Sequence, residues 1–487
     1  MPWSFTQHLD LLTAHGIVPE PLHGDGSRTN PWRDAEGRRP VRDARRERIA
    51  VREYLDHQPT GYRDTVEKIA ATLPPMHPRC RISALVPCRT EAGQIGGLLS
   101  RYADQRDLTG GPLHGDDYEV LALVNRFADE PDDGTADVVN RWSGEGLRAH
   151  AAEYIHPDGE KAPLTMARKL LADVALWRSV ERPEPAGPLY LASEDADVPW
   201  LDPRQLAYMI TTLDGDPGLD SVRGAQDRCP WQMARHPLLV LMRRSWNFTE
   251  ALVARRSMWP DRNPGYDFTW NRLNTSGWNT AFTAEVYARV GGYSRQRPFE
   301  EDMDIGEKIS AFRAYRQDGQ LVPQVATVGR IPTRAEGSPR RWLYWAATGT
   351  EPYADGNDYE NFFRRDHERA VKDRALTELE TLAETATRLD VDRLTEAMQR
   401  DLDFLTGRCG GDGNEAVLYR RVLALIGFRP GDADIDGGRL CIRSVAGVAE
   451  RLARYARYAD FTVGPYPRRL PLGTAANTWR MSAVRAV

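Results

Sequence analysis

Asp195 and Asp197 stand two positions apart in Glu194-Asp195-Ala196-Asp197, just beyond the apolar run Pro188-Leu189-Tyr190-Leu191-Ala192. That run, bounded by Gly187 and Pro199, reads as a short buried strand. Two carboxylates at the C-terminal end of such a strand lie where open α/β sheets bind ligands. Their oxygens suit a hard divalent cation, Mg²⁺ or Mn²⁺, of the kind that is shared with substrate phosphates. An isolated Asp-x-Asp is more often a solvated acidic turn. The neighbouring clusters decide its weight.

Three such clusters follow the same logic. In Val86-Pro87-Cys88-Arg89-Thr90-Glu91, at the end of an earlier strand, Glu91 can accept hydrogen bonds from a nucleoside and Arg89 can face a phosphate. The same residues also fit a helix N-terminus with an exposed arginine. The stretch from Asn125 to Thr135 follows the next strand, with turn chemistry at Asp133-Gly134 and a capping residue at Thr135. The end of an adjacent strand is also the place for groups that read a base or a ribose. Ser276-Gly277-Trp278-Asn279, Val290-Gly291-Gly292-Tyr293 and Phe299-Glu300-Glu301-Asp302-Met303-Asp304 form the third cluster. Its acids suit a helix dipole, and they equally suit a general base poised over an acceptor hydroxyl.

From Arg81 onward strands and helices alternate: strand over 82–87, helix over 92–104, strand over 118–124, helix from 135. A long helix over 161–180 then leads into the strand of the Asp pair, and another helix spans 201–213. Such alternation predicts βαβ units and a mainly parallel sheet. Residues 1–78 read as an N-terminal appendage holding a short first helix and a helical piece over 49–73. Residues 79–350 form the main domain, and 351–487 a helical C-terminal module largely free of strand signals. In that module Leu376, Leu379 and Leu382 recur at helical spacing, and Gly407 to Gly411 break two helical blocks.

The net charge of −5 over 487 residues argues against an extended nucleic-acid surface. The five cysteines are scattered without metal-ligand spacing, which suits reduced thiols in a cytoplasmic protein. No apolar stretch has the length of a membrane span, and the first twenty residues lack the apolar core of a signal peptide.

Taken together and in order, these segments resemble family-two-type glycosyltransferases of the A-type nucleotide-diphospho-sugar fold. The segments are Pro87-Cys88-Arg89-Thr90-Glu91, Asp133-Gly134-Thr135, Asp195-Ala196-Asp197, Gly277-Trp278-Asn279-Thr280-Ala281-Phe282, Val290-Gly291-Gly292-Tyr293 and Glu301-Asp302. The match covers about residues 80 to 345. It implies a three-layer α/β/α, Rossmann-like domain and a hexosyltransferase moving a sugar from a nucleotide-diphospho-sugar to an acceptor hydroxyl. Pro87, Arg89, Glu91, Asn125, Arg168 and Asp195 would bind the donor, and Asp195 and Asp197 would hold the divalent metal. Gly277 and Trp278 would meet the acceptor, and Asp302, beside Glu301, would act as base in an inverting transfer.

The chain departs from the pattern at several points. Thr90 stands where the family usually has Asn, and Ser338 replaces the Gln of the Gln-x-x-Arg-Trp found in processive synthases. There is no His between His236 and His367 to serve as a downstream metal ligand; its place is either empty, served by water, or replaced by Arg330, Arg334 or Arg340 contacting the diphosphate directly. Retaining relatives share much of this pattern. A nucleotidylyltransferase would need a basic Gly-rich loop, and residues 87–97 contain no Lys. A non-catalytic scaffold has no reason to keep Asp195, Asp197, Glu301 and Asp302 together. Trp278 fits a sugar platform and a core position equally well. His156 and His236 read as surface or loop histidines, and the helical module as a part that shapes the acceptor site or mediates dimerisation.

Overall fold

The computed structural model describes residues 42–160, 163–228, 238–239, 241–242, 245, 249, 277–294, 301–312, 315–317, 320–322, 328–340, 343–344, 378, 391–409 and 414–448. Strand β1 (Ile82–Cys88) sorts its side chains with a period of two, as a pleated strand must. Ile82, Ala84, Val86 and Cys88 enter one core cluster, and Leu85 enters another. In β2 (Tyr118–Phe127), Val120, Ala122 and Val124 share the first cluster, while Leu121 and Leu123 share the second. The next strand in space, β4 (Tyr190–Ser193), repeats the pattern with Tyr190 and Ala192 against Leu191. The sheet therefore has two apolar faces, each covered by helices, giving three layers.

The sheet has eight strands in the order β3-β2-β1-β4-β7-β6-β10-β5. Its first four members, with β3 spanning Ala149–His156, are mutually parallel. Strand β7 (Thr280–Thr283) runs antiparallel to both β4 and β6 (Ser221–Arg228). The far edge holds β10 (Val328–Gly337) and the two-residue β5 (Trp200–Leu201). The α/β architecture expected from the alternation is present.

Helices α1 (Ala44–Asp56) and α2 (Thr60–Ala71) pack on the same face as α5 (Pro163–Glu181). On the other face lie α3 (Ile95–Ala103), α4 (Thr135–Gly144) and α6 (Gln205–Gly215). Helix α5 is buried along nearly its whole length. That includes Arg168, Lys169 and Asp173, which a helix shows only when its polar groups find partners inside. Two further helices, α7 (Ala284–Arg289) and α8 (Glu301–Phe312), follow β7. The short hairpin β8 (Tyr315–Gln317) and β9 (Gln320–Val322) comes after them.

Contacts divide the chain into two compact units, 1–226 with 271–335 and 227–270 with 336–487. The second is built around α9 (Val391–Cys409) and α10 (Glu415–Ile426). Leu394, Met398, Leu402, Tyr419 and Val422 share its core cluster. The C-terminal region, expected to be helical and largely free of strand signals, also carries the short antiparallel hairpin β11 (Ala433–Asp436) and β12 (Arg439–Ile442). Its alternating Ile435, Leu440 and Ile442 cover the helix pair. Each strand is only four residues long, too short for its period to stand out in the sequence. The helix expected over 201–213 begins instead at Gln205, because Trp200–Leu201 pairs as β5. The short helix expected near the N-terminus, Leu376, Leu379, Leu382 and His236 lie outside the described residues. Among the described residues, no helix is long and apolar enough to cross a membrane.

Candidate active site

Register fixes where the expected site residues meet. Strands β1, β2 and β4 are parallel, with Cys88 beside Val124 and Leu85 beside Ser193. Residues that follow these strands therefore leave the sheet at one edge. Strand β7 runs the other way, with Thr280 beside Ser193, so the residues before it reach that same edge. Arg89, Glu91, Asn125, Asp195, Asp197, Gly277 and Trp278 all belong to these exits.

Arg168 joins the centre of the site. From α5, its Nη1 donates to Ser193 Oγ at 2.6 Å and to the Gly277 carbonyl at 2.8 Å. Nη2 donates to Asp195 Oδ1 at 2.5 Å, and Nε lies 2.9 Å from Glu301 Oε1. Only 4% of Arg168 is exposed. Burial on its own would lower the guanidinium pKa, but Asp195 and then Glu301 outweigh it and raise it instead. The arginine is thus a fixed internal cation that ties the turn after β4 to the start of α8.

The first two acids of α8, Glu301 and Asp302, are placed differently. Glu301 is 4% exposed, and burial, then the Asp302 charge, push its carboxyl up to about 7 against the pull of Arg168. Asp302 is half-buried, and its Oδ2 accepts the Gly277 N–H at 2.7 Å. A Cβ on Gly277 would lie 2.7 Å from Arg168 Nη2, so only glycine fits between the cation and Asp302. Acids in the first turn also suit the dipole of α8.

Around the Asp pair, Asp195 is ion-paired through Oδ1 with its side chain 34% exposed. Asp197 is half-buried and makes no hydrogen bond or ion pair among the described residues. Glu194, by contrast, is 1% exposed, and burial pushes its carboxyl up to about 8, further than the hydrogen bond from Gln205 pulls it back. Among the described residues no three His, Cys, Asp or Glu side chains cluster as a closed metal cage. The donor set that remains, Asp197 with the outer oxygen of Asp195, suits a hard cation. Such a cation completes its shell with water and ligand oxygens.

The second half of the edge is more rigid than the sequence suggests. Arg89 pairs with Glu130 at 2.6 Å and lies 5.0 Å over the Phe127 ring. Pro87 is buried within β1, and Glu91 is 6% exposed. The Glu91 N–H donates to Thr135 Oγ1 at 3.1 Å and the Ala92 N–H to Asp133 Oδ2 at 3.0 Å. The Asp133-Gly134-Thr135 turn thereby holds the loop after β1, where Thr90 takes φ +58°. Asn125 Nδ2 donates to the Cys88 carbonyl at 2.8 Å, and its Oδ1 lies 2.9 Å from His156 Nε2. His156 is therefore no surface histidine. It ends β3 at 1% exposure, and burial, then Arg89, push its pKa down to about 4. Trp278 is 7% exposed within the core cluster on the α3 face.

The structure thus joins Arg168, Asp195, Gly277, Glu301 and Asp302 in one bonded set and gathers Pro87, Arg89, Glu91 and Asn125 farther along the edge. It adds Ser193, Glu194, Gln205 and Asn279, which the sequence reading did not single out. The signals for them were slight. Glu194 directly precedes the Asp pair, and Asn279 closes the Gly277-Trp278-Asn279 segment.

No family model and no curated protein matches the chain. Solved structures do. A mannosyltransferase from Pyrobaculum calidifontis, in complex with GDP-Man and Mn²⁺, aligns with 15% identity over 90% of this chain and 99% of its own, at a TM-score of 0.33. S. aureus TarS 1-349 with UDP-GlcNAc aligns with 12% identity over 74% and 96%, at 0.32. Mannosyl-3-phosphoglycerate synthase from Rubrobacter xylanophilus aligns with 14% identity over 77% and 89%, at 0.25. Likeness of this extent establishes neither family nor activity. The topology and the site carry the reading that follows.

Proposed function

We propose that the protein is a glycosyltransferase that moves a sugar from a nucleotide-diphospho-sugar to an acceptor hydroxyl, with inversion. The observation that carries this reading is the Arg168 hub. One buried cation links the carboxylate of the donor-side turn, Asp195, to Gly277 and Glu301, and Gly277 in turn holds Asp302. Donor-side and acceptor-side groups are thereby fixed in one frame before either ligand arrives, which is what a displacement between two bound partners requires.

In this reading the loops after β1 and β2 hold the nucleoside, with Arg89 facing it and the buried Glu91 and Asn125 shaping the floor beneath it. Asp195 and Asp197 hold Mg²⁺ or Mn²⁺, which when bound neutralises charge on the leaving diphosphate. Asp302, less buried than Glu301, takes the proton from the acceptor hydroxyl. The Gly277 N–H aims the Asp302 carboxylate. Glu301, buried against Arg168, is a positioning residue. Its charge is shared with the arginine, so it does not compete with Asp302 for the acceptor proton. Trp278 acts through packing, because its ring belongs to the core.

The test is thermal stability against UDP-, GDP- and dTDP-sugars with Mn²⁺, Mg²⁺ or EDTA, since a ligand bound to the native state raises Tm by mass action. A metal-dependent rise with one nucleotide identifies the donor base. A folded sample that responds to none of them sinks the donor-binding reading.

A further inference from the structure

Glu194 and Asn279 take no part in the chemistry assigned above, yet they sit at its junction. Glu194 Oε2 accepts from Gln205 Nε2 at 3.1 Å and from the Asn279 N–H at 3.4 Å. Gln205 Nε2 also donates to Asn279 Oδ1 at 3.0 Å, and Thr333 Oγ1 donates to the same oxygen at 3.2 Å. The Gly224 N–H donates to the Asn279 carbonyl at 3.0 Å. Asn279 itself is fully buried with φ +48°, a left-handed backbone that asparagine tolerates better than most residues. A Cβ on Gly224 would collide with both Asn279 and Thr333 side chains, so the strand beside the network has been kept bare to admit it.

Four segments meet here: the turn after β4, the first residue of α6, the residues before β7, and β10. Each end of the network lies within two residues of the proposed chemistry. Asp195 follows Glu194 and pairs with Arg168; Gly277 precedes Asn279 by two and holds Asp302. Glu194 Oε1 has no hydrogen-bond partner among the described residues, so apolar packing would satisfy this space as well as a carboxyl does, apart from the two donors aimed at Oε2. Directional bonds from Gln205 and Asn279 select one arrangement of the two turns, whereas an apolar plug would let them slide. Sites of this kind lose function when their groups drift by about 0.5 Å.

We propose that Glu194 is a positioning residue which, through Gln205 and Asn279, sets the spacing between the Asp195–Asp197 turn and the Gly277–Asp302 pair. The inference rests on reading Asp195 and Asp197 as the donor-side carboxylates. Glu194→Gln keeps the acceptor for both donors, and Glu194→Leu removes it. The probes are Mn²⁺-UDP and Mn²⁺-GDP, titrated calorimetrically, with hydrogen exchange of residues 194–198 and 277–279 followed in the ligand-free protein. We expect Glu194→Gln to bind within about threefold of wild type and Glu194→Leu to bind about 10- to 100-fold more weakly. Glu194→Leu should also exchange faster in both segments while its Tm stays near that of wild type. Wild-type exchange in both segments of Glu194→Leu overturns the proposal, and so does a Glu194→Gln protein as impaired as Glu194→Leu. If wild type binds neither probe, the donor reading fails and exchange alone decides the clasp. Should Glu194→Leu not fold, Gln205→Leu, which removes the shared donor, is held to the same outcomes.

Discussion

Asp197 and Asp302 make separable demands on the protein. Asp197 has no hydrogen-bond or ion-pair partner among the described residues, so none of those residues depends on its carboxylate. Asp197→Ala should leave Tm within about 2 °C of wild type, as substitutions outside packed cores and bonded networks do, and should abolish the metal-dependent part of nucleotide binding. Calorimetry with and without EDTA checks both. Asp302 receives the Gly277 N–H, which Asn can also accept through its carbonyl oxygen. Asp302→Asn should therefore keep donor binding and lose transfer by about 10²- to 10⁴-fold, the usual worth of a general base. Transfer at the wild-type rate by this variant rules out Asp302 as the base. Both acids stand out in the sequence because a carboxylate at a strand end or helix start leaves a local mark. The ion pair that sets Glu301 apart from Asp302 was not legible. It depends on which carboxyl turns towards an arginine 133 positions away, and no short-range pattern reports that.

The decisive element is helix α5, which carries Arg168 and, one residue on, Lys169. Lys169 pairs with Asp173 at 3.0 Å, and Asp173 accepts from Tyr54 at 2.9 Å and from Tyr62 at 2.8 Å. Lys169 also lies 5.0 and 5.1 Å over the rings of those two tyrosines. Helices α1 and α2 are thus bolted to α5 through one buried carboxylate. Asp173→Ala leaves Lys169 charged and buried, and breaking such a pair costs about 3–5 kcal/mol. Urea unfolding should show that loss, and nucleotide affinity should fall with it because α5 presents Arg168. In the sequence, residues 1–78 read as an appendage since their polar, Gly- and Pro-rich beginning separates them from the strands. The two tyrosines gave no sign of their partner, because the pairing spans more than 100 residues. Strands β1, β2 and β4 were easier to read. Their short apolar runs end in turn residues, and the parallel order follows from the helices between them.

At the scale of the whole molecule, buried acids set the response to pH. Glu47 is 5% exposed, its carboxyl receives the Leu189 N–H at 2.9 Å, and burial pushes its pKa from the usual 4.5 up to about 8. Between those values the unfolded chain releases a proton that the folded chain retains, so stability falls as pH rises from about 4.5 to about 8 and then levels. Glu47→Gln keeps an acceptor for Leu189 and cannot ionise. Its urea midpoint should match wild type near pH 4.5 and exceed it increasingly up to pH 8; parallel profiles would show that Glu47 carries no such linkage. The two-unit division has a different consequence. Residues 1–226 are completed only by 271–335, with 227–270 belonging elsewhere. A ribosome releases Asp195 and Arg168 long before Gly277, Glu301 and Asp302, and must deliver a piece of the other unit in between. The nascent chain therefore exposes an Arg168 guanidinium with one of its two carboxylate partners missing. A pause in translation within 227–270 would prolong that half-neutralised state and give chaperones their longest opportunity to hold it.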